Sequence, residues 1–255
     1  MNKFWLVALA VISQPKSGSG QMAHFVSADG QTKMSFGPNC LVKTISPSEA
    51  QMTLSGGVQI SLLKQATQIS ARRAIALIET KNKTSRFKSV HAVDAVKIVK
   101  RTKGSRMSSI SSSIADYREG PGNPEAFFSG AVHLQDVDGA THTVVNAVGQ
   151  DGRAVFMSGL GSKSSGILEA TLKGSVVVKV DQISLGGKTP GHVEIRCNQV
   201  TYTPGKSGAR LEFTGDVRMR GTGGLISGSM NDAQHVTFHL NAHNEMTDFS
   251  SGNAP

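Results

Sequence analysis

Apolar and polar residues alternate with a period of two along most of the chain from about Leu54 onward. That is the spacing of strands that bury one face and wet the other. Between Arg210 and Arg220 the odd positions are Leu211, Phe213, Gly215, Val217 and Met219, and the even ones are Arg210, Glu212, Thr214, Asp216, Arg218 and Arg220. From His235 to His243, Val236, Phe238, Leu240 and Ala242 share one face, and His235, Thr237, His239, Asn241 and His243 share the other. Gln65 to Thr80 is rich in Ala, Ile and Leu, which suits a helix, but helix propensity is a weak prior. Ile69 and Ala71, then Ile75 and Leu77, fit strands broken at Arg72-Arg73, and the segment is read as strand.

A short pattern recurs within this alternation: apolar, any, Gly, any, Val, any, apolar. It appears as Leu54-Ser-Gly-Gly-Val-Gln-Ile60, Phe128-Ser-Gly-Ala-Val-His-Leu134, Leu172-Lys-Gly-Ser-Val-Val-Val178 and Phe213-Thr-Gly-Asp-Val-Arg-Met219. A degraded copy, Ala92-Val-Asp-Ala-Val-Lys-Ile98, lies between the first and second and would make five units. A Gly inside a strand marks a bend or a close backbone approach. Placed once per unit, it predicts strands that fold sharply across a narrow apolar interior. The expected architecture is all-β: a flattened jelly roll or a stacked β-solenoid of repeated bent strands rather than an open flat sheet. The positions expected to face that interior are Leu54, Val58, Ile60, Phe128, Val132, Leu134, Leu172, Val176, Val178, Phe213, Val217 and Met219.

Composition sharpens this picture in three places. Of 255 residues, 28 are Gly and 5% are aromatic, a balance that favours short strands and tight turns. Lys3, the apolar run Phe4 to Ile12 and the small or polar residues to Gly20 have the order of a secretory signal. Residues 1–20 are therefore expected to direct export to the periplasm, with cleavage after Gly20 or after Ser13, or to anchor the chain if uncleaved. A buried first strand is the competing reading. Residues 101–125 hold a basic cluster, a serine run and Glu119-Gly-Pro-Gly-Asn-Pro124, and read as a loop or linker. It divides front β repeats over 24–100 from a back β domain over 126–250, whose tail from Asp248 is expected to fray.

The stretch from His192 to Met219, with its strand, polar-led strand ending in an aromatic, turn and Gly-x-Val strand, resembles the repeats of the OstA-like (LptA) family of lipopolysaccharide-transport proteins. The likeness covers about 126–245 well and Leu54 to Val99 weakly. It implies a slit-like jelly roll whose interior, lined by the twelve apolar positions above, accepts acyl chains. It implies lipopolysaccharide or a similar anionic glycolipid as ligand, and homologous OstA-like domains as partners through edge-strand stacking, including a head-to-tail oligomer. No enzymatic activity, cofactor or metal is implied.

The net charge of +9 favours anionic partners without choosing among them. Nucleic acid fits poorly, because basic residues are interleaved with acids and aromatics are few. Gly205-Lys206-Ser207 lacks the earlier Gly of a phosphate-binding loop. His235, His239 and His243 share a strand face, but i to i+4 spans about 13 Å there, too far for one ion. Cys40 and Cys197 make no metal motif, and the sequence leaves their pairing open. Two rivals to lipid carriage stand: a structural or adhesive envelope solenoid, and a β-helix polysaccharide lyase.

Overall fold

The computed structural model describes residues 22–27, 30–63, 66–81, 84–101, 106–120, 122–138, 143–156, 167–182, 191–205, 208–223, 228–241 and 246–252. The expected export signal over 1–20 lies outside them. The described residues contain no helix and form fourteen strands: β1 (Ala23–Val26), β2 (Thr32–Phe36), β3 (Cys40–Ser46), β4 (Glu49–Leu62), β5 (Thr67–Lys81), β6 (Thr84–Arg101), β7 (Arg106–Arg118), β8 (Glu125–Asp138), β9 (Thr143–Phe156), β10 (Ile167–Gln182), β11 (Gly191–Gly205), β12 (Gly208–Thr222), β13 (Gly228–Asn241) and β14 (Met246–Gly252). All belong to one antiparallel sheet. From β4 to β14 each strand pairs with the next in chain order; β1 pairs β2, while β2 and β3 both pair β4. The sheet does not close, since β1 and β14 are not paired.

Every strand from β4 to β13 loses register near its middle. Going along the chain, two residues of one strand stand against one of the next: Gly56 and Gly57 against Arg72, Asp94 and Ala95 against Ser113, Gly130 and Ala131 against Gln150, Gly174 and Ser175 against Asn198, Gly215 and Asp216 against Gln234. Both members of all five pairs have positive φ, from +48° to +85°. A two-against-one bulge with left-handed residues bends a strand sharply. Stacked in neighbouring strands, the bulges form a spine along which the sheet folds in half. The expected bend at Gly-x-Val is thus present, and the degraded copy at Asp94-Ala95 makes the fifth unit. Gly56 and Gly130 lie exposed on this spine rather than on the buried face.

The fold produces two walls. Wall A holds β1, β2 and the halves containing 58–62, 67–71, 96–101, 106–112, 132–138, 143–149, 176–182, 191–197, 217–222 and 228–233. Wall B holds β3, β14 and the remaining halves. Inward side chains from both form one apolar core, including Phe36, Ile60, Val96, Val132, Ile195 and Val217 from wall A and Leu54, Ala92, Tyr117, Phe128 and Phe213 from wall B. Each large aliphatic group so buried stabilises the fold by about 1.5–3 kcal/mol.

Four sequence expectations need correction. Residues 106–118 are not loop: they form β7, which pairs with β6 on one side and β8 on the other, so the sheet runs on across the expected linker; residues 102–105 and 121 of that segment lie outside the described ones. After the break at Arg72-Arg73 the inward residues are Ala74, Ala76 and Ile78, while Ile75 is exposed and Leu77 half-buried. The single unpaired residue in the odd-numbered strands shifts inward parity by one, which a strict alternation misses. Thr237 is buried although it alternates with the buried Val236 and Phe238. The tail does not fray at Asp248, since Asp248 to Gly252 pair with β13. Cys40 and Cys197 are both free, on β3 and β11.

The outer face carries a lattice of ion pairs across strands. Arg153 Nη2 and Nη1 reach Glu125 and Glu169 at 2.9 and 3.1 Å, and Arg73 meets Asp94 at 2.6 Å beside the spine. Such exposed pairs contribute about 0–1 kcal/mol each, so they set solubility and strand pairing more than stability.

Candidate functional site

Of the twelve positions expected inside, Leu54, Val58, Ile60, Phe128, Val132, Leu172, Val176, Val178, Phe213, Val217 and Met219 are buried, and Leu134 is half-buried against the same core. Their outward neighbours Lys173, Lys179, Arg218 and Arg220 are exposed. The interior at these positions is therefore apolar and closely packed: Leu54, Val132, Phe213 and Val217 have no accessible surface. The two walls touch at these positions.

The packing is looser at some strand ends than at others: Leu62, Tyr117 and Phe156 are buried at theirs. Leu134, Val145, Val180, Met230, Ile167 and Leu211 are only partly buried against the core. They sit toward the strand ends of β8 to β10, β12 and β13, on both walls.

A second interior feature was not visible in the sequence. On wall A a transverse row crosses Thr67 of β5, Lys100 of β6, Ser108 of β7 and Asp136 of β8, each in register with the next. Thr67 and Lys100 are buried, and Ser108 and Asp136 partly so. Ser108 Oγ donates to Asp136 Oδ1 at 2.5 Å. The same row continues in β9 and β10 as Val145 and Val180. The front of this row is polar and its back is apolar.

Aromatic residues face it from wall B. Phe87, Tyr117 and Phe156 stack in a tilted series, with ring centroids 6.0 and 6.1 Å apart. Lys100 Nζ lies 5.0 Å from the centre of the Phe156 ring, so the amine reaches across the slit from wall A to wall B. Lys100 and Tyr117 are each four or five residues from the spine on their own strands, which at about 3.3 Å per residue puts them at similar depth. Burial lowers the Lys100 amine to about 8. Burial, then the Glu119 carboxylate, raises the Tyr117 phenol far above its usual range. The Tyr117 hydroxyl is fully buried with no hydrogen-bond partner. Leaving such a group unmade costs about 1–3 kcal/mol, which sequences rarely retain without a use.

The amine at Lys100 gives a stability signature. The folded state holds it near 8 against 10.5 for an ordinary lysine. Below pH 8 both states are protonated, and the folded state carries a penalty of roughly 3 kcal/mol for the buried charge. Between pH 8 and 10.5 the unfolded chain keeps a proton that the folded chain has lost, so this group adds stability as pH rises. Lys100→Met keeps a long apolar stem at this position and removes the titrating amine. It should remove this contribution to the rise above pH 8, as read from urea midpoints of the two proteins from pH 7 to 10.

The fold and interior define a class: an all-β protein of repeated bent strands, with one unclosed sheet folded around a largely apolar core. Comparison with known proteins finds no matching family model, no matching curated protein and no matching solved structure.

Proposed function

We propose that this chain is a non-enzymatic lipid carrier of the cell envelope, similar to the OstA-like proteins that move lipopolysaccharide through the periplasm. The observation that carries the reading is the five-fold spine. It folds one unclosed sheet around a single apolar interior that runs through every strand from β4 to β13. An acyl chain entering between the walls gains about 0.8 kcal/mol per buried methylene. The walls touch in the described state, so entry requires them to part, and the half-buried margin at Leu134, Val145 and Val180 is where that motion costs least. Phosphates of an anionic glycolipid would stay outside, attracted by the surplus of Lys and Arg.

Among the described residues, β1 and β3 at one end of the sheet and β14 at the other each pair on one side only. Exposed edges invite pairing with another chain. Leu41 and Ile45 on β3 and Phe249 on β14 are exposed at these ends. In this reading they stack on a second copy or a homologous domain, extending the interior from one protein to the next. Residues 1–20 would supply export.

Photo-crosslinkers test the carriage directly. In cells that make the glycolipid, Val176 and Val217, buried on wall A, should capture lipid, and Arg218, exposed beside Val217, should not. Capture at none of the inward positions would favour a structural or adhesive solenoid. The closed packing at Leu54 and Phe213 is the observation on the side of that second reading.

A further inference from the structure

We propose that the outer ridge of the spine is a binding ladder for an extended, uncharged β-1,4-linked glycan. At each of the five bulges one residue of the next strand stands alone against two: Arg72, Ser113, Gln150, Asn198 and Gln234. All five are exposed, and so is the second residue of every bulge. The ridge is therefore a row of polar side chains with one rung on every second strand. Three rungs are seated by the glycines of the repeat. A Cβ at Gly130 would meet Ser113 Oγ at 2.9 Å, one at Gly174 would meet Gln150 Oε1 at 2.6 Å, and one at Gly215 would meet Asn198 Nδ2 at 2.6 Å. Each glycine is thus the floor on which the preceding rung lies, which fixes where its hydroxyl or amide is offered. Among the described residues no hydrogen bond or ion pair takes up these three polar ends.

Step and charge select the ligand class. Neighbouring strands lie about 4.8 Å apart, so rungs on alternate strands recur about every 9.6 Å. The disaccharide of an extended β-1,4-linked glycan advances by nearly the same length, so each disaccharide meets one rung. An extended peptide shows the same face every second residue, about 6.6 Å, and falls out of step. Four of the five rungs are uncharged, and their hydroxyl and amide groups both donate and accept, as those of a sugar do. A polyanion would call for cations in their place. A neutral hydrogen bond is worth about three- to tenfold in affinity, and the contributions of rungs engaged by one polymer multiply. The ridge faces away from the core, so the inference stands apart from the lipid reading.

The test titrates β-1,4-linked N-acetylglucosamine oligomers of four, six and eight sugars into the full chain, with α-1,4-linked maltooctaose beside them. Affinity should rise about three- to tenfold with each added disaccharide. The α-linked octamer coils, and should bind about tenfold or more weakly than the β-linked one. Gln150→Ala combined with Asn198→Ala should weaken the β-linked octamer by about tenfold or more, and Gln234→Ala, on a separate strand, by about three- to tenfold. All three side chains are exposed, so the thermal midpoints should move by only a few degrees. Gln68→Ala, exposed on wall A away from the ridge, should leave binding unchanged. No binding, affinity independent of length, or equal binding of the α-linked octamer would overturn the ladder. So would unchanged binding by both ladder variants. None of these outcomes bears on lipid capture at Val176 and Val217, which tests the carrier reading separately.

Discussion

Val217→Asp should lower the thermal midpoint by roughly 10–20 °C or leave no cooperative transition, while Arg218→Asp should move it by only a few degrees. The two residues are neighbours on β12 with opposite surroundings. Val217 has no accessible surface and stands opposite Ala233, immediately after the spine. An aspartate there loses the burial of a valine and places a carboxylate among apolar groups. Removing the charge from water without a partner costs about 3–5 kcal/mol beyond the lost burial. Arg218 is exposed, with Asp232 Oδ1 at 3.8 Å as a weak partner. It also stands opposite Arg196 on β11, so an aspartate would trade one weak attraction for another. Thermal unfolding of the three proteins at pH 7 reads the difference. Equal shifts would mean that the inward and outward faces of β12 have been exchanged.

What could be read from the sequence followed the chemistry of the inward positions. Where they are large and apolar, as at Phe213, Val217 and Met219, alternation alone marks the strand and its buried face. The bends were legible because a left-handed residue on a crowded spine favours Gly, as at Gly174 and Gly215. The fifth copy was harder to see, since Asp94 takes the same backbone conformation with a side chain that pairs with Arg73. Asp is among the few residues that tolerate it.

Strand β7 was misread as loop for the same physical reason that makes the interior unusual there. Its inward positions include Ser108 and Ser112, and Ser112 is satisfied by donating to the Ile114 carbonyl. A strand whose buried face is partly polar has no binary pattern to recognise. Lys100 was hidden in the basic run from Lys97 to Arg106, which reads as solvated; Lys97 is exposed as expected, and Lys100 is buried. The polar row and the failed strand assignment are one feature: local rules break where the core departs from a purely apolar one. The parity shift at each odd-numbered strand is a different failure. It depends on one unpaired residue per bulge, which no composition signal marks.

Gly215→Val should cost roughly 3–5 kcal/mol, from two sources acting at one atom. The backbone there has φ +74°, a region that a β-branched residue adopts only with strain. A Cβ at this position would also lie 2.6 Å from Asn198 Nδ2 and 3.0 Å from Asn198 Cβ. The amide end of Asn198 can rotate away, but its Cβ is fixed to β11, so the contact cannot be relieved without separating β11 from β12 at the spine. The alternative, flattening the bulge, would straighten β12 and pull wall A away from wall B. Ala131→Gly is the matched control. Ala131 is exposed on the same spine at φ +52°, and giving it the freedom of glycine should stabilise the chain by about 0.5–1 kcal/mol. Urea unfolding of both variants beside wild type checks the pair. A Gly215→Val protein as stable as wild type would show that the bend at β12 does not depend on glycine, and with it that the Gly-x-Val repeat is not what folds the sheet.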